Sequence, residues 1–219
     1  MKIVALSDFH GDLIPAHKIE ECDVVCIAGD IVPLRMQRNI PQSISWLKKK
    51  FIPWVEELNC ERVILVAGNH DFCFEKPNNP QEFFKDCEKI KYLEDSGTVY
   101  NGVSFFGTPW ITGLPGWAFY TPSDTEIMDN IPNIDVLITH APPSGQVGTV
   151  LQHGWNYLNN FGSEALRERL IRGNIKYCLS GHIHSGAHFE EIIGETKCYN
   201  VSVKDESYEL TYPYRVLEI

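Results

Sequence analysis

The stretch VILVAGNHD, residues 63–71, places an apolar run directly before a cluster of polar side chains. Four other segments share this arrangement, in which a run rich in Val, Ile, Leu and Ala ends in acidic, amide or imidazole groups. The five clusters are Asp8-Phe9-His10, Gly29-Asp30, Gly68-Asn69-His70-Asp71, Thr139-His140 and Gly181-His182-Ile183-His184. Such runs are typical of parallel strands buried on both faces. Because loops beyond the carboxyl ends of parallel strands form one crevice, the sequence predicts that these clusters meet in space.

The polar groups of the clusters form a set of potential metal ligands. Seven of them supply carboxylate, imidazole and amide donors without any thiolate: Asp8, His10, Asp30, Asn69, His140, His182 and His184. This mixture suits Mn, Fe, Zn, Ni or Co better than Cu(I) or an iron–sulfur cluster. Seven ligands are too many for one tetrahedral zinc. If one carboxylate bridges, the set provides four bonds to each of two ions, which enzymes hold about 3.5–4 Å apart.

The spacing within the clusters also favours convergence. Asp8 and His10 are two residues apart, so they point to the same side if strand geometry continues past the apolar run. In three clusters a glycine precedes the ligand, where the missing Cβ lets the backbone turn sharply and approach the site. Any single Asp or Asn could instead cap a helix, because these side chains accept hydrogen bonds from free amides. Five clusters in this order disfavour that interpretation.

In this order the motifs D-x-H, G-D, G-N-H-D, H and G-H-x-H resemble those of the calcineurin-like metallophosphoesterase superfamily, over residues 8–184. Three further segments are similar to the metallophosphoesterase domain-containing (class III phosphodiesterase-like) proteins of animals and their bacterial relatives: Gly107-Thr108-Pro109-Trp110, Gly116-Trp117-Ala118-Phe119 and His140-Ala141-Pro142-Pro143. The resemblance implies an α/β fold, a four-layer α/β/β/α sandwich of two mixed β-sheets flanked by helices. It places a dinuclear metal site at the C-terminal ends of strands. We expect residues 1–219 to form a single domain.

Carried over residue by residue, the resemblance gives each ligand a role. The first metal would be held by Asp8, His10, Asp30 and His184, and the second by Asp30, Asn69, His140 and His182. Asp30 would therefore bridge. His70 matches the family's catalytic histidine, which is not a ligand, and Asp71 matches an acidic residue that could orient or charge the imidazole. The implied cofactors are two divalent or trivalent transition-metal ions, Mn or Fe first, with Zn, Ni or Co as alternatives.

This ligand set predicts a hydrolytic mechanism. Two such ions lower the pKa of a bridging water, so that hydroxide is available near neutral pH. We expect hydrolysis of small phosphodiesters, nucleotides among them, with His70 holding the phosphoryl group or protonating the leaving oxygen. A phosphomonoesterase and a nucleotide pyrophosphatase are the alternatives. A nuclease or a non-catalytic scaffold is less favoured, since a scaffold would not need all seven ligands and His70.

The charge of the chain limits its partners. The 219 residues contain 19 Lys and Arg against 29 Asp and Glu, a formal net charge of -10. A long nucleic acid needs an extended basic track, whereas this chain offers only short clusters such as residues 48–50. We therefore expect a small phosphoester substrate and no long nucleic acid. No apolar stretch is long enough to span a membrane, so no membrane partner is expected. The sequence leaves the oligomeric state open.

The seven cysteines form no zinc or redox motif. Cys26 lies in an apolar run close to Cys22, which favours buried free thiols. An odd number of cysteines and the absence of a signal peptide favour a reducing cytoplasm as the location.

Several residues near the motifs are candidate substrate contacts. Aromatic rings that could stack on a nucleobase are Phe9, Phe72, Trp110 and Trp117, of which Phe72 and Trp110 are preferred. Arg35 and His153 lie in loops after ligands, His153 in the Gly-rich segment 145–154. The competing interpretation is that the rings pack in the core or in a lid.

Helix and strand signals lie between and after the clusters. Helices are predicted to open at Asn79-Pro80-Gln81-Glu82 and at Ser123 with Glu126, to run over Ser163–Gly173, and to run over Gln42–Leu58 with an interruption at Pro53. Additional strands are predicted over 99–106, 198–203 and 214–219.

Overall fold

The computed structural model of the chain describes residues 1–151 and 158–219. In chain order the strands are β1 (Lys2–Leu6), β2 (Cys22–Ala28), β3 (Cys60–Val66), β4 (Ile90–Tyr92), β5 (Ser96–Tyr100), β6 (Val103–Thr108), β7 (Ile134–Thr139), β8 (Thr149–Leu151), β9 (Leu158–Asn160), β10 (Ile175–Ser180), β11 (Glu190–Ile193), β12 (Thr196–Asn200) and β13 (Arg215–Glu218). The α-helices are α1 (Ile40–Trp46), α2 (Ile52–Glu57), α3 (Pro80–Phe84), α4 (Thr125–Asp129) and α5 (Glu164–Ile171).

Two mixed sheets form the centre of the fold. The five-stranded sheet has the order β13–β1–β2–β3–β4, parallel except for the pair β1–β13. The six-stranded sheet has the order β11–β12–β10–β7–β6–β5, with antiparallel pairs at both edges. Strands β8 and β9 form a separate antiparallel pair. The predicted α/β arrangement of two mixed sheets flanked by helices is confirmed.

Alternate side chains of the central strands enter different layers of the core. On β1, Val4 and Leu6 pack with helix residues such as Phe51 and Val55, whereas Ile3 and Ala5 face the second sheet. A third cluster lies on the outer face of the second sheet, where α4 and α5 pack against β7 and β10. The period of two along each strand thus produces the four layers α/β/β/α.

The loops after the parallel strands are joined by backbone hydrogen bonds at one end of the sandwich. The amide of Asp8 donates to the carbonyl of Gly29 at 3.1 Å, and the amide of His10 donates to the carbonyl of Asp30 at 3.0 Å. In the other sheet, the amide of Gly181 donates to the carbonyl of His140 at 3.0 Å. Backbone hydrogen bonds alone therefore hold neighbouring ligand-bearing loops in each sheet next to one another.

The prediction of one strand over residues 99–106 is wrong. The structure has a hairpin, β5 and β6, joined at Asn101 and Gly102, whose φ angles are +48° and +80°. Both residues lie in the left-handed region, which a tight hairpin turn requires and which Asn and Gly adopt most readily. The Asn-Gly pair was therefore a usable signal. The strands predicted over 198–203 and 214–219 correspond to β12 and β13 with shifted ends.

The predicted helices are present, with one cap misplaced. The side chain of Asn79 caps α3, and that of Ser163 caps α5 by accepting from the amide of Leu166. Helix α4 instead begins after Asp124, without a side-chain cap, so the predicted cap at Ser123 is wrong. None of the helices in the two described ranges has the length and apolar character needed to cross a membrane.

The helix predicted over 42–58 is interrupted as its proline suggested. A π-helical turn at Leu47–Phe51 separates α1 from α2. Pro53 has no amide hydrogen to bond the carbonyl four residues earlier, and its ring crowds that carbonyl. A wider turn just before the proline relieves this crowding.

Candidate metal centre

The five clusters lie together at the end of the sandwich where the parallel strands terminate. Three groups of side chains have ligand atoms within 4.8 Å of one another, namely Asp8 with His10 and His184, His10 with Asp30 and His70, and Asp8 with Asp30 and His140. Asn69 joins them through its Oδ1 atom, 2.8 Å from Nε2 of His140. The ring of His182 lies 5.0 Å from that of His140, centroid to centroid. All seven predicted ligands therefore converge.

The distances between ligand atoms fit a shared ion. Nε2 of His10 lies 3.4 Å from Nε2 of His184, and Oδ1 of Asp8 lies 3.6 Å from that same His184 nitrogen. The 3.6 Å separation is too long for a hydrogen bond. Two ligand atoms, each about 2.1 Å from an ion and at a tetrahedral angle, lie about 3.4 Å apart. The donor set and its spacing therefore fit a transition metal.

The histidine rings are held with one nitrogen toward the centre. Nδ1 of His140 lies 2.8 Å from the carbonyl of Ala28, and Nδ1 of His184 lies 2.9 Å from the carbonyl of Asp205. A ring that donates from Nδ1 to a carbonyl presents the lone pair of Nε2 on its other side. These two carbonyls therefore fix both the tautomer and the direction of a ligand.

Charge within the centre favours ionised carboxylates and divides the imidazoles into neutral and protonated ones. Burial alone would raise the pKa of Asp8 and of Asp30, yet the neighbouring histidines hold both below the usual range. Burial lowers the pKa of His10 to about 4 and that of His182 to about 3. For His140, burial is outweighed by the Asp30 carboxylate, which raises the pKa to about 9. The buried anions thus call for compensating positive charge.

Four of the predicted ligands have left-handed backbone conformations. The φ angles are +58° at Asp8, +42° at His10, +55° at Asp30 and +68° at His182. The condition that strand geometry continues past Ser7 is therefore not met, since the chain turns at Asp8, directly after the β-bridge of Ser7. For residues other than glycine this conformation costs roughly 1–2 kcal/mol each, and it is concentrated at functional sites. Packing of the surrounding loops has to offset that strain.

The predicted close approach of glycines to the site is confirmed. A Cβ atom on Gly68 would lie 2.2 Å from Oδ1 of Asp30, and one on Gly181 would lie 2.3 Å from Oδ2 of Asp8. Real Cβ atoms are not found this close to another heavy atom. Only glycine allows these backbone segments to approach the two carboxylates.

His70 lies beside the metal ligands and is oriented by an amide side chain. Its Nε2 atom is 3.8 Å from Oδ2 of Asp30, and its backbone N–H donates to Oδ1 of Asp30 at 2.8 Å. Its Nδ1 atom hydrogen-bonds Oε1 of Gln37. The sequence interpretation missed Gln37, whose only signal was its place in the loop that follows Asp30.

Asp71 binds backbone amides instead of the imidazole of His70, which corrects the role expected for it. Its buried carboxylate accepts hydrogen bonds from the backbone amides of Ile31, Val32 and Gly68. The distance from each of these nitrogens to the nearer carboxylate oxygen is 2.9 Å. Asp71 therefore ties the loop after β2 to the loop after β3. It positions Asp30 and His70 through the backbone.

A cavity of about 350 Å³ opens over the centre. Beside metal ligands and His70, its walls include Leu114, Trp117, Ile183, Glu206 and Tyr208. No Lys or Arg lines this cavity within the described ranges 1–151 and 158–219. Glu206 and Tyr208 follow the last motif by more than twenty residues, and no feature of the sequence pointed to them.

Three predicted substrate contacts lie elsewhere. The indole N–H of Trp110 donates to Asp95 at 2.7 Å, so its partner holds the ring away from the cavity wall. The ring of Phe72 lies under the guanidinium of Arg38, 4.3 Å from its centroid, and Arg35 is exposed on a 3-10 turn. None of these predicted contacts lines the cavity as described.

Two further predictions concern Phe9 and His153. Phe9 is fully buried against Phe51 and Trp54, so it belongs to the core. His153 lies outside the described residues, and its role stays a prediction.

A family model of the calcineurin-like phosphoesterases matches residues 1–186. The chain belongs to the calcineurin-like phosphoesterase family. Human Metallophosphoesterase domain-containing protein 1 is 28% identical over 244 residues, covering 100% of this chain and 71% of the human protein. This relative confirms the narrower resemblance. As a calcineurin-like phosphoesterase, the chain is a hydrolase of a family that uses divalent metals.

Solved structures agree with this fold. Phosphopantetheinyl hydrolase from Mycobacterium tuberculosis aligns with a TM-score of 0.55 at 14% identity, covering 94% of this chain and 90% of that chain. Another solved structure aligns with a TM-score of 0.70 at 16% identity, covering 99% of this chain and 98% of that chain. At these identities the likeness concerns the fold alone.

Replacing Asp71 should destabilise the calcineurin-like fold. Asp71→Ala leaves three buried amides without their acceptor, at about 1–3 kcal/mol each, so we expect a loss of at least about 3 kcal/mol. Denaturant unfolding of metal-free protein measures it. Asp129→Ala, which removes an exposed ion pair with Arg172, is the control and should cost under about 1 kcal/mol. Equal stability of the two variants would contradict the role of Asp71.

Proposed function

We propose that this protein is a dinuclear metal-dependent phosphoesterase that hydrolyses small phosphodiesters, with residues 1–219 acting as one domain. The position of Asp30 carries the proposal. Its Oδ2 atom lies 3.8 Å from Nε2 of His10 and 3.5 Å from Nε2 of His140. One carboxylate oxygen thus stands between the two groups of ligands, as a bridge between two ions must.

The two ligand groups fit the two proposed ions. Asp8, His10 and His184 would hold one with Asp30, and Asn69, His140 and His182 would hold the other with Asp30. Oxygen and imidazole ligands favour Mn or Fe, with Zn, Ni or Co as alternatives. When bound, such ions activate water and neutralise the phosphate oxygens.

His70 is placed to act on the substrate through Nε2. The hydrogen bond from Nδ1–H to Oε1 of Gln37 leaves Nε2 facing the cavity. From there the ring, once protonated at Nε2 to the imidazolium, can donate a hydrogen bond to a phosphoryl oxygen or give that proton to the leaving oxygen. Gln37 is a neutral partner, so it restrains the ring without adding a charge.

The charge of the cavity supports diesters over the alternatives. A phosphodiester carries one negative charge, whereas a monoester or a pyrophosphate carries about two or more near neutral pH. Glu206 lines the cavity, and no Lys or Arg does so among the described residues. The net charge of -10 further disfavours a long polyanion such as DNA or RNA.

Metal content tests the dinuclear centre. We expect two transition-metal ions per chain after reconstitution with Mn²⁺ or Fe²⁺, and loss of hydrolysis with a chelator. Asp30→Asn should lower metal content more than Asn69→Ala, because it weakens both sites. Elemental analysis with activity assays measures both effects, and Asp129→Asn is the surface control. Saturation at one ion with full activity would contradict the proposal.

Substitution of His70 separates catalysis from metal binding. His70→Ala should keep two ions while kcat falls by about 10² or more, and Gln37→Leu should cause a smaller fall of about tenfold. Both decreases in kcat should be smaller for substrates whose leaving group is nitrophenolate, because that group needs little protonation. Because Nε2 of His70 lies as close to Asp30 as Nε2 of His10 does, loss of metal in His70→Ala would show instead that His70 is a ligand.

A substrate panel tests the preference for diesters. We expect kcat/KM for bis-nitrophenyl phosphate to exceed that for mono-nitrophenyl phosphate, with some activity on cyclic nucleotides. Glu206→Gln should reduce the ratio of the diester kcat/KM to the monoester kcat/KM several-fold, because it removes a charge that repels the more negative monoester. Glu209→Gln, an exposed neighbour outside the cavity wall, should not change it. A higher kcat/KM for monoesters would favour a phosphatase, and efficient digestion of long DNA would favour a nuclease.

A further inference from the structure

The segment over residues 201–212 reaches the metal centre although it lies beyond residues 1–186, which the family model matches. The hydroxyl of Ser202 donates to Oδ2 of Asp8 at 2.5 Å, and the carbonyl of Asp205 holds the ring of His184. The amide of Val203 donates to the carbonyl of Ser7 at 3.0 Å. This segment is therefore fixed against the strand ends that carry the ligands.

A turn within this segment presents Tyr208. The Asp205 carboxylate accepts from the amides of Ser207 at 2.9 Å and Glu209 at 3.1 Å, and from the hydroxyl of Thr211 at 2.9 Å. Tyr208 itself has a φ of +61°. A bulky residue in this conformation is strained, and such strain is typical of functional positions. The turn is organised by its own hydrogen bonds.

The Tyr208 ring lies over the histidines of the first ligand group. Its centroid is 5.0 Å from the ring of His10, 5.0 Å from that of His184 and 6.5 Å from that of His70. Tyr208 as a residue is 38% exposed, so its ring lies against the histidines while part of the residue faces solvent. A tyrosine that only filled the core would not border the open cavity.

A second ring borders the cavity at His70. The centroid of Trp117 lies 4.6 Å from that of His70. The guanidinium of Arg38 lies 5.3 Å above the indole and donates to the carbonyl of Gly116 at 3.3 Å, which holds this loop in place. Two restrained aromatic rings, from segments far apart in the chain, thus border the space next to His70.

We propose that Trp117 and Tyr208 form an aromatic slot that binds a planar ester substituent of the phosphodiester beside His70. Rings bind flat apolar groups through their faces and edges at little entropic cost, because they are already held in place. The slot rests on the proposed function, since the phosphoryl group must sit at the metal ligands for its substituent to reach it. It makes the enzyme selective for aromatic over small alkyl diesters.

Binding of two matched phosphonates tests the slot without relying on turnover. Methyl phenylphosphonate and methyl methylphosphonate are monoanions that differ only in the group joined to phosphorus by a stable P–C bond. Calorimetry on metal-loaded protein should show about tenfold tighter binding of the phenyl compound. Trp117→Ala and Tyr208→Leu should each reduce that ratio several-fold, whereas Tyr208→Phe should retain it.

The control is Tyr212→Ala, in the same segment. Its ring stacks on His188 at 5.3 Å and does not line the cavity, so the ratio should not change. Elemental analysis of every variant shows whether the ions are retained.

Three results would overturn the slot. A ratio near one in the unaltered protein, with two ions bound and diesters hydrolysed, removes the slot and leaves the proposed function standing. If the ratio of phenyl to methyl phosphonate affinity is unchanged in both Trp117→Ala and Tyr208→Leu, these two residues do not form the slot. Failure to bind either phosphonate, together with absent metal or absent hydrolysis, overturns the proposed function and the slot together.

Discussion

The carboxylate of Asp30 is the constraint on which the rest of the site depends. It follows β2 in the first sheet, yet one oxygen lies near His140, which follows β7 in the second sheet. Its other oxygen receives the backbone amide of His70. A single buried anion therefore joins loops from both sheets. Burying an anion is costly unless charge or hydrogen bonds compensate, so the histidines and amides around Asp30 are required by the physics of the site.

The surrounding fold supplies rigidity that the ligands themselves lack. Left-handed backbone at several ligands is strained, and the loops keep this geometry because hydrogen bonds and close packing hold them from other directions. Asp71 provides part of this support by binding the amides of two loops at once. The glycines next to the carboxylates provide the rest, since any side chain there would collide with a ligand. Residues that never touch substrate thus determine the geometry of those that would.

The site is also divided between two parts of the chain. The ligands and His70 lie within the residues that the family model matches, whereas Glu206 and Tyr208 lie after them. The predicted ligands and part of the cavity wall are therefore carried by separate segments. A wall built from a self-contained turn can change without disturbing the ligands, apart from the carbonyl of Asp205, which fixes His184.

The sequence by itself determined which candidate ligands come together and, through the family resemblance of its motifs, the two-sheet fold. Apolar runs ending in Asp, Asn and His are local patterns, and burial on both faces leaves a clear signal along a strand. Only the tertiary structure decided that Gln37 orients His70, that Asp71 binds backbone, and that Tyr208 covers the ligands. It also showed that Trp110 lies outside the cavity wall, where its indole N–H donates to Asp95. These outcomes depend on contacts between residues far apart in the chain, and hydrogen-bond partners of that kind leave no periodic trace in a sequence.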